Sequence, residues 1–204
     1  MLALHRYATA AALLLAACVP APRPIVTGNP DASAQAIAEA VCATCHGNDG
    51  IGVSPEIPSL AGQSEDYLAR QLEDFRAHRR SDQAAYDAMW GMSYRLTLTQ
   101  ARDLAALFAR MRPMRSRTNE DGGLSASGAR LAGNCATCHG PYLRGRGPVP
   151  RLAGQHADYL AKQLEVFQRP EERPLADART VPPHRLAAED IAALAAYASG
   201  LRGD

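Results

Sequence analysis

Residues 41–75, VCATCHGNDGIGVSPEIPSLAGQSEDYLARQLEDF, return as residues 134–167, NCATCHGPYLRGRGPVPRLAGQHADYLAKQLEVF. A chain that carries one module twice folds as two like units, each with its own core. Cys42, Cys45 and His46 match Cys135, Cys138 and His139 at an offset of 93, which becomes 92 from Pro58 and Pro150 onward. The one-residue deletion falls in a Gly/Pro-rich loop, where a length change costs least.

Within each module the periodicity is helical. Tyr67, Leu68, Leu72 and Phe75 lie at helical spacing and recur as Tyr159, Leu160, Leu164 and Phe167. Asp31 is placed to cap the helix before the first Cys pair, and Ser127 the helix before the second. A last helix follows in each module, over 99–111 and 188–201. No stretch alternates as a strand does, so the fold class is all-α. Residues 113–126 are polar and aperiodic with a Gly-Gly pair, and read as a linker between a first domain at 31–112 and a second at 127–204.

The first 17 residues, with His5 and Arg6 before an Ala/Leu-rich run, read as an export signal too short to remain as a membrane span. The run ends in Leu-Ala-Ala-Cys18, the pattern of a lipoprotein cleavage site in which Cys18 becomes the lipidated first residue. Pro20, Pro22 and Pro24 make 18–30 an extended tether. The expected location is the periplasmic side of a bacterial membrane, with the choice of membrane left open. Five cysteines are an awkward set for disulfides. One goes to lipid, and the other four form two Cys-x-x-Cys pairs. Charge is nearly balanced, 22 Lys+Arg against 21 Asp+Glu, which argues against nucleic acid as a partner.

Each pair is followed directly by histidine. Cys-x-x-Cys-His is the attachment pattern of a covalent haem: two thiols add to the two vinyl groups, and the histidine lies under the iron. The expected cofactors are two haem c groups, on Cys42, Cys45 and His46 and on Cys135, Cys138 and His139. Such a group supplies the burial that a chain with 5% aromatic residues lacks. A zinc site would draw four ligands together, whereas each module holds one pair. A thioredoxin-like pair would sit in a βαβ unit, and a disulfide would not require the histidine twice.

With the CATCHG, P-x-LAGQ and DYLxxQLxxF motifs present twice and an LAAxxA closing helix, residues 31–202 resemble the dihaem cytochrome c4 family. The resemblance implies two class I cytochrome c-like domains facing each other, in a periplasmic electron carrier with redox proteins as partners. The donor would be a membrane dehydrogenase or a quinol-oxidising complex, the acceptor an oxidase or reductase. It also implies that the proline before LAGQ, Pro58 and Pro150, fixes the proximal histidine through its carbonyl, with Pro55 as a competitor in the first module.

Family members place a distal methionine seven residues before a leucine that opens the last helix. Superposing Leu104 on Leu194 sets Leu96 on Leu186 and points to Met89 as the distal ligand of the first iron, with Met92 as the alternative. The same count in the second module reaches Arg179, and no methionine follows Met114. Three outcomes stay open there: His184 as ligand, a five-coordinate iron with Arg179 or water near its open side, or a methionine from the first module. Methionine raises a haem's potential relative to histidine, so the two haems are expected to differ. An open second iron would suit a small-ligand sensor or a peroxidase-like protein. After the second Cys pair come Arg144, Arg146 and Arg151, where the first loop has Asp49 and Glu56. That contrast suits acidic and basic partners at opposite ends.

Overall fold

The computed structural model describes residues 28–80, 82–114, 122–169 and 185–202. Among them no strand forms, and the sole β-type contact is an isolated bridge between Arg146 and Val149. The first module contains α1 (Ala34–Ile37), a π-helical turn (Ala38–Cys42), α2 (Ala43–His46), α3 (Glu65–Arg76), α4 (Gln83–Ala85), a second π-helical turn (Tyr86–Trp90), α5 (Gly91–Ser93) and α6 (Leu98–Ala109). The second contains α7 (Gly122–Leu131), α8 (Gly133–His139), a 3-10 turn (Pro141–Leu143), α9 (Ala157–Phe167) and α10 (Ala188–Gly200). The two plans match: the closing helix packs against the opening helix and against the helix after LAGQ, α6 with α1 and α3, α10 with α7 and α9.

Both cores are built mainly from small and aliphatic side chains, with Phe108 as the aromatic of the first cluster. Ile37, Leu68, Leu96, Leu104, Ala105 and Phe108 fill the first, with Cys42 packed at its edge. Ala132, Leu143, Leu160, Leu194, Ala195 and Ala198 fill the second, with Cys135 and Leu186 at its edge. Each member of the pairs Leu104/Leu194 and Leu96/Leu186 thus enters the core of its own module. At the α7–α10 crossing the backbones meet closely: a Cβ on Gly128 would lie 2.0 Å from the Ala193 carbonyl oxygen. Glycine is required there because any side chain would separate the helices.

Caps set the helix starts, and two differ from expectation. Ser33 rather than Asp31 caps α1, its hydroxyl accepting the Ala36 N–H at 3.2 Å. Ser127 lies inside α7, which begins five residues earlier at Gly122, so the segment read as linker already contains helix. The Gly-Gly pair and the serines there are weak helix formers taken singly, and packing against α10 overrides them. Ser64 caps α3 as its position suggests. Thr97 and Gln100 form a reciprocal capping box at α6. The Gln100 amide nitrogen also donates to the Asn29 and Ala32 carbonyls, at 2.8 and 3.1 Å, tying down the chain where it enters the fold.

The modules meet across a pseudo-twofold contact. The Gln63 amide nitrogen donates to the Arg151 carbonyl at 2.8 Å while its oxygen accepts the Arg151 N–H at 2.7 Å. Gln155 does the same to Ser59, at 2.9 Å for both bonds. These glutamines are the last letter of the two LAGQ motifs, and both are buried. Ser64 donates to the Gly147 carbonyl, and its counterpart His156 donates through Nε2 to the Gly52 carbonyl at 3.1 Å. Beside them lies a buried ion pair. Arg80 holds Asp82 through Nε and Nη2 at 3.2 and 3.1 Å, and reaches Gln163 of α9 at 3.2 Å. Burial disfavours the Arg80 charge, but Tyr159, Asp82 and Tyr67 more than offset this, so its pKa lies above the ordinary value.

Candidate haem sites

Each Cys-x-x-Cys-His segment ends a helix that glycine terminates. Gly47 and Gly140, with φ of 72° and 74°, take the left-handed region that lets the chain leave at once. The first cysteine of each pair turns toward the core and the second outward: Cys42 and Cys135 are half-buried, Cys45 and Cys138 exposed. All four are free thiols. Burial pushes Cys42 up to about 11 and raises Cys135 as well. Neutral inner thiols are the opposite of what a thiol–disulfide redox pair needs.

The histidines are oriented identically. His46 Nδ1 donates to the Pro58 carbonyl at 2.8 Å, and His139 Nδ1 to the Pro150 carbonyl at 2.8 Å. Burial lowers the pKa of both imidazoles, partly offset by those bonds. A neutral ring whose Nδ1 carries the proton keeps its Nε2 lone pair for a metal. Pro55, the competitor, is committed elsewhere: its carbonyl accepts the Tyr159 N–H of the second module at 3.1 Å.

Of the two methionines weighed for the first iron, Met89 is half-buried within the π-helical turn Tyr86–Trp90. Met92 lies in α5 and is 47% exposed. Met111 is packed against the first core, and the Met114 sulfur accepts a bond from the Ser59 hydroxyl. Cys18, Arg179 and His184 lie outside the described residues. His156, matched to Ser64, is an interface residue. His78, just past the C-terminus of α3, joins a ring cluster, 5.2 Å from Trp90 and 5.6 Å from Tyr86. Arg151, read as a loop charge beside Arg144 and Arg146, turns into the interface, where its Nε donates to the Gly62 carbonyl at 3.1 Å.

These residues fit a covalent haem. Two thiols and an imidazole with a free Nε2 lone pair stand within five residues at the end of one helix, beside a core poor in large side chains. In the first module Arg76 Nε and Trp90 Nε1 are buried donors with no hydrogen-bond partner among the described residues. Carboxylate acceptors such as haem propionates would satisfy them. Sequence reasoning missed these two donors, and it missed the roles of Gln63, Gln155 and Arg80. Its one available signal was a glutamine standing after Ala-Gly in both copies.

A family model described as Cytochrome c matches residues 32–110 and again 125–201. Cytochrome c4 of Azotobacter vinelandii is 35% identical over 188 residues, covering 84% of this chain and 89% of that protein. The crystal structure of reduced recombinant cytochrome c4 from Pseudomonas stutzeri superposes with a TM-score of 0.72 at 33% identity, covering 83% of this chain and 97% of that one. A thiosulfate dehydrogenase from Marichromatium purpuratum superposes with a TM-score of 0.69 at 31% identity, over 83% of this chain and 40% of that longer one. The pairs of thiols, the oriented histidines and these likenesses agree, and the chain belongs to the cytochrome c family as a two-domain electron-transfer cytochrome of the c4 type carrying two covalent haem c groups.

Proposed function

We propose that this cytochrome is a lipid-anchored carrier on the periplasmic side of a bacterial membrane. It takes electrons from a membrane dehydrogenase or quinol-oxidising complex and passes them to an oxidase or reductase. The observation that carries the reading is the doubled His–Pro geometry inside two modules locked face to face. Bound haem iron supplies one-electron chemistry by alternating between the ferric and ferrous states. The chain's own work is to hold and orient. Cys42 and Cys45 fix one group and Cys135 and Cys138 the other, while Pro58 and Pro150 set the His46 and His139 rings. The glutamine clamp keeps the two sites at one separation, so little rearranges as charge moves. Met89 is the distal ligand of the first iron in this reading.

The Leu-Ala-Ala-Cys18 pattern supports the anchor, and the point where the chain enters the fold limits its reach. A Cβ on Gly28 would lie 3.7 Å from the Arg95 side chain, and Gln100 grips the backbone just beyond. Cys18 stands ten residues before Gly28, a reach of at most about 35 Å. The module therefore stays close to the bilayer. The name of the Marichromatium neighbour suggests a second arrangement, in which this chain serves a dehydrogenase directly.

Mass measurement of the mature chain is expected to show an acyl-modified Cys18 at its start. Haem reduction by quinol-reduced membranes is expected to slow by an order of magnitude or more in Cys18→Ser, because tethering raises effective concentration. An unmodified mature chain, or equal rates, would remove the anchor from the reading.

A different function, small-ligand binding at the second iron, rests on the absence of methionine after Met114. Carbon monoxide titration of the reduced protein separates the two. Uptake near one molecule per two haems indicates an exchangeable second site, and His184→Ala then shows whether a weak histidine had been displaced. No uptake makes both irons firmly six-coordinate and the protein a pure carrier.

A further inference from the structure

The Pro58–Ser59 peptide unit is bonded to a different module at each end. Its carbonyl accepts the Nδ1–H of His46 at 2.8 Å in the first module, and its N–H donates to Gln155 Oε1 of the second at 2.9 Å. The Pro150–Arg151 unit repeats the arrangement in reverse. Its carbonyl accepts from His139 at 2.8 Å, and its N–H donates to Gln63 Oε1 of the first module at 2.7 Å. Each glutamine returns a bond from its amide nitrogen to the next carbonyl, which fixes its oxygen toward the shared N–H. Ser59, Gln155 and His46 are each 6% exposed, so little water competes along the first path.

Hydrogen bonds in series in such surroundings polarise one another. An amide whose N–H is bound presents a more negative carbonyl oxygen. That oxygen draws the imidazole Nδ1 proton more strongly, and the ring's Nε2 becomes a better donor to iron. Stronger donation favours the ferric state and lowers the potential.

We propose that Gln155 is a positioning residue for the iron of the first module and Gln63 for the iron of the second. Each sets the ligand strength of the other module's proximal histidine through one shared peptide. The inference rests on reading His46 and His139 as iron ligands. It makes the module interface part of both haem environments, wired crosswise.

The test is the potential of each haem, followed by its own hyperfine-shifted methyl proton signals during a redox titration of the full chain. Gln155→Ala is expected to raise the potential of haem 1 and leave haem 2 unmoved, and Gln63→Ala to do the reverse. Gln155→Glu and Gln63→Glu keep the accepting oxygen and are expected to hold the opposite haem at or below its original potential. This rescue decides the matter where an alanine variant fails to accumulate. A shift confined to the substituted module's own haem, an equal shift of both, or no shift would overturn the proposal. Retention of the original haem 1 spectrum by His46→Ala would instead overturn the ligand reading, and the proposal with it.

Discussion

The proximal side of each site is decided by single atoms. One carbonyl oxygen, from Pro58 or Pro150, selects the tautomer that leaves Nε2 for iron, and burial keeps the ring neutral. In the proposed reading the distal side of the first iron turns on two methionines three residues apart, Met89 and Met92. Met89 sits in a π-helical turn, a form of backbone that recurs at functional sites. Met89→Ala is expected to abolish the far-red charge-transfer band of a methionine-ligated ferric haem and to lower the haem 1 potential, whereas Met92→Ala keeps the band. Absorption spectra and a redox titration of both variants check this. The reverse pattern would reassign the ligand to Met92.

Helix packing carries most of each module's cohesion, since the cores hold few large side chains. The closest approach is at Gly128, where α7 meets the α10 backbone at Ala193. Gly128→Ala would improve helix propensity, yet forcing the crossing apart is expected to cost about 1–3 kcal/mol. Denaturant unfolding of the haem-loaded chain measures the loss. A neutral or stabilising result would mean that α7 can slide. At the start of α6, Gln100 both closes the capping box and grips the entering chain. Gln100→Ala is expected to cost about 1 kcal/mol and to raise amide exchange at residues 29–32, which hydrogen-exchange mass spectrometry reads.

The two modules are joined by buried polar groups that bond across the contact between them. Gln63 and Gln155 are paired across the interface, and Arg80 connects Asp82 to Gln163. Removing one partner of a buried ion pair strands the other charge, at a cost of about 3–5 kcal/mol. Asp82→Ala is therefore expected to lower stability by that order and to split a single calorimetric transition into two. One unsplit transition would show that the clamp alone couples the modules. The cationic loop after the second haem segment also changes character at this scale. Arg151 leaves it for the interface, so Arg144 and Arg146 are the arginines the loop keeps exposed.

The repeat, the helical class and both Cys-x-x-Cys-His segments were legible because each depends on local spacing, whereas the prolines that orient the histidines came from the family resemblance alone. Attachment chemistry needs two thiols and an imidazole on one helix end, and a few consecutive residues encode that. Capping was less legible: Ser33 and Asp31 are both good caps, and the choice between them depends on where the helix docks. The start of α7 was hidden because Gly-Gly and serines are weak helix formers, and only the packing of α7 against α10 favours helix there. What the tertiary structure alone decided is the contact between the copies. Gln63 and Arg151 lie far apart in the chain, as do Gln155 and Ser59, and no periodicity pairs them. Folding brings each buried amide to one residue of the other module whose N–H and carbonyl meet both its ends, and so joins one module's glutamine to the other's histidine.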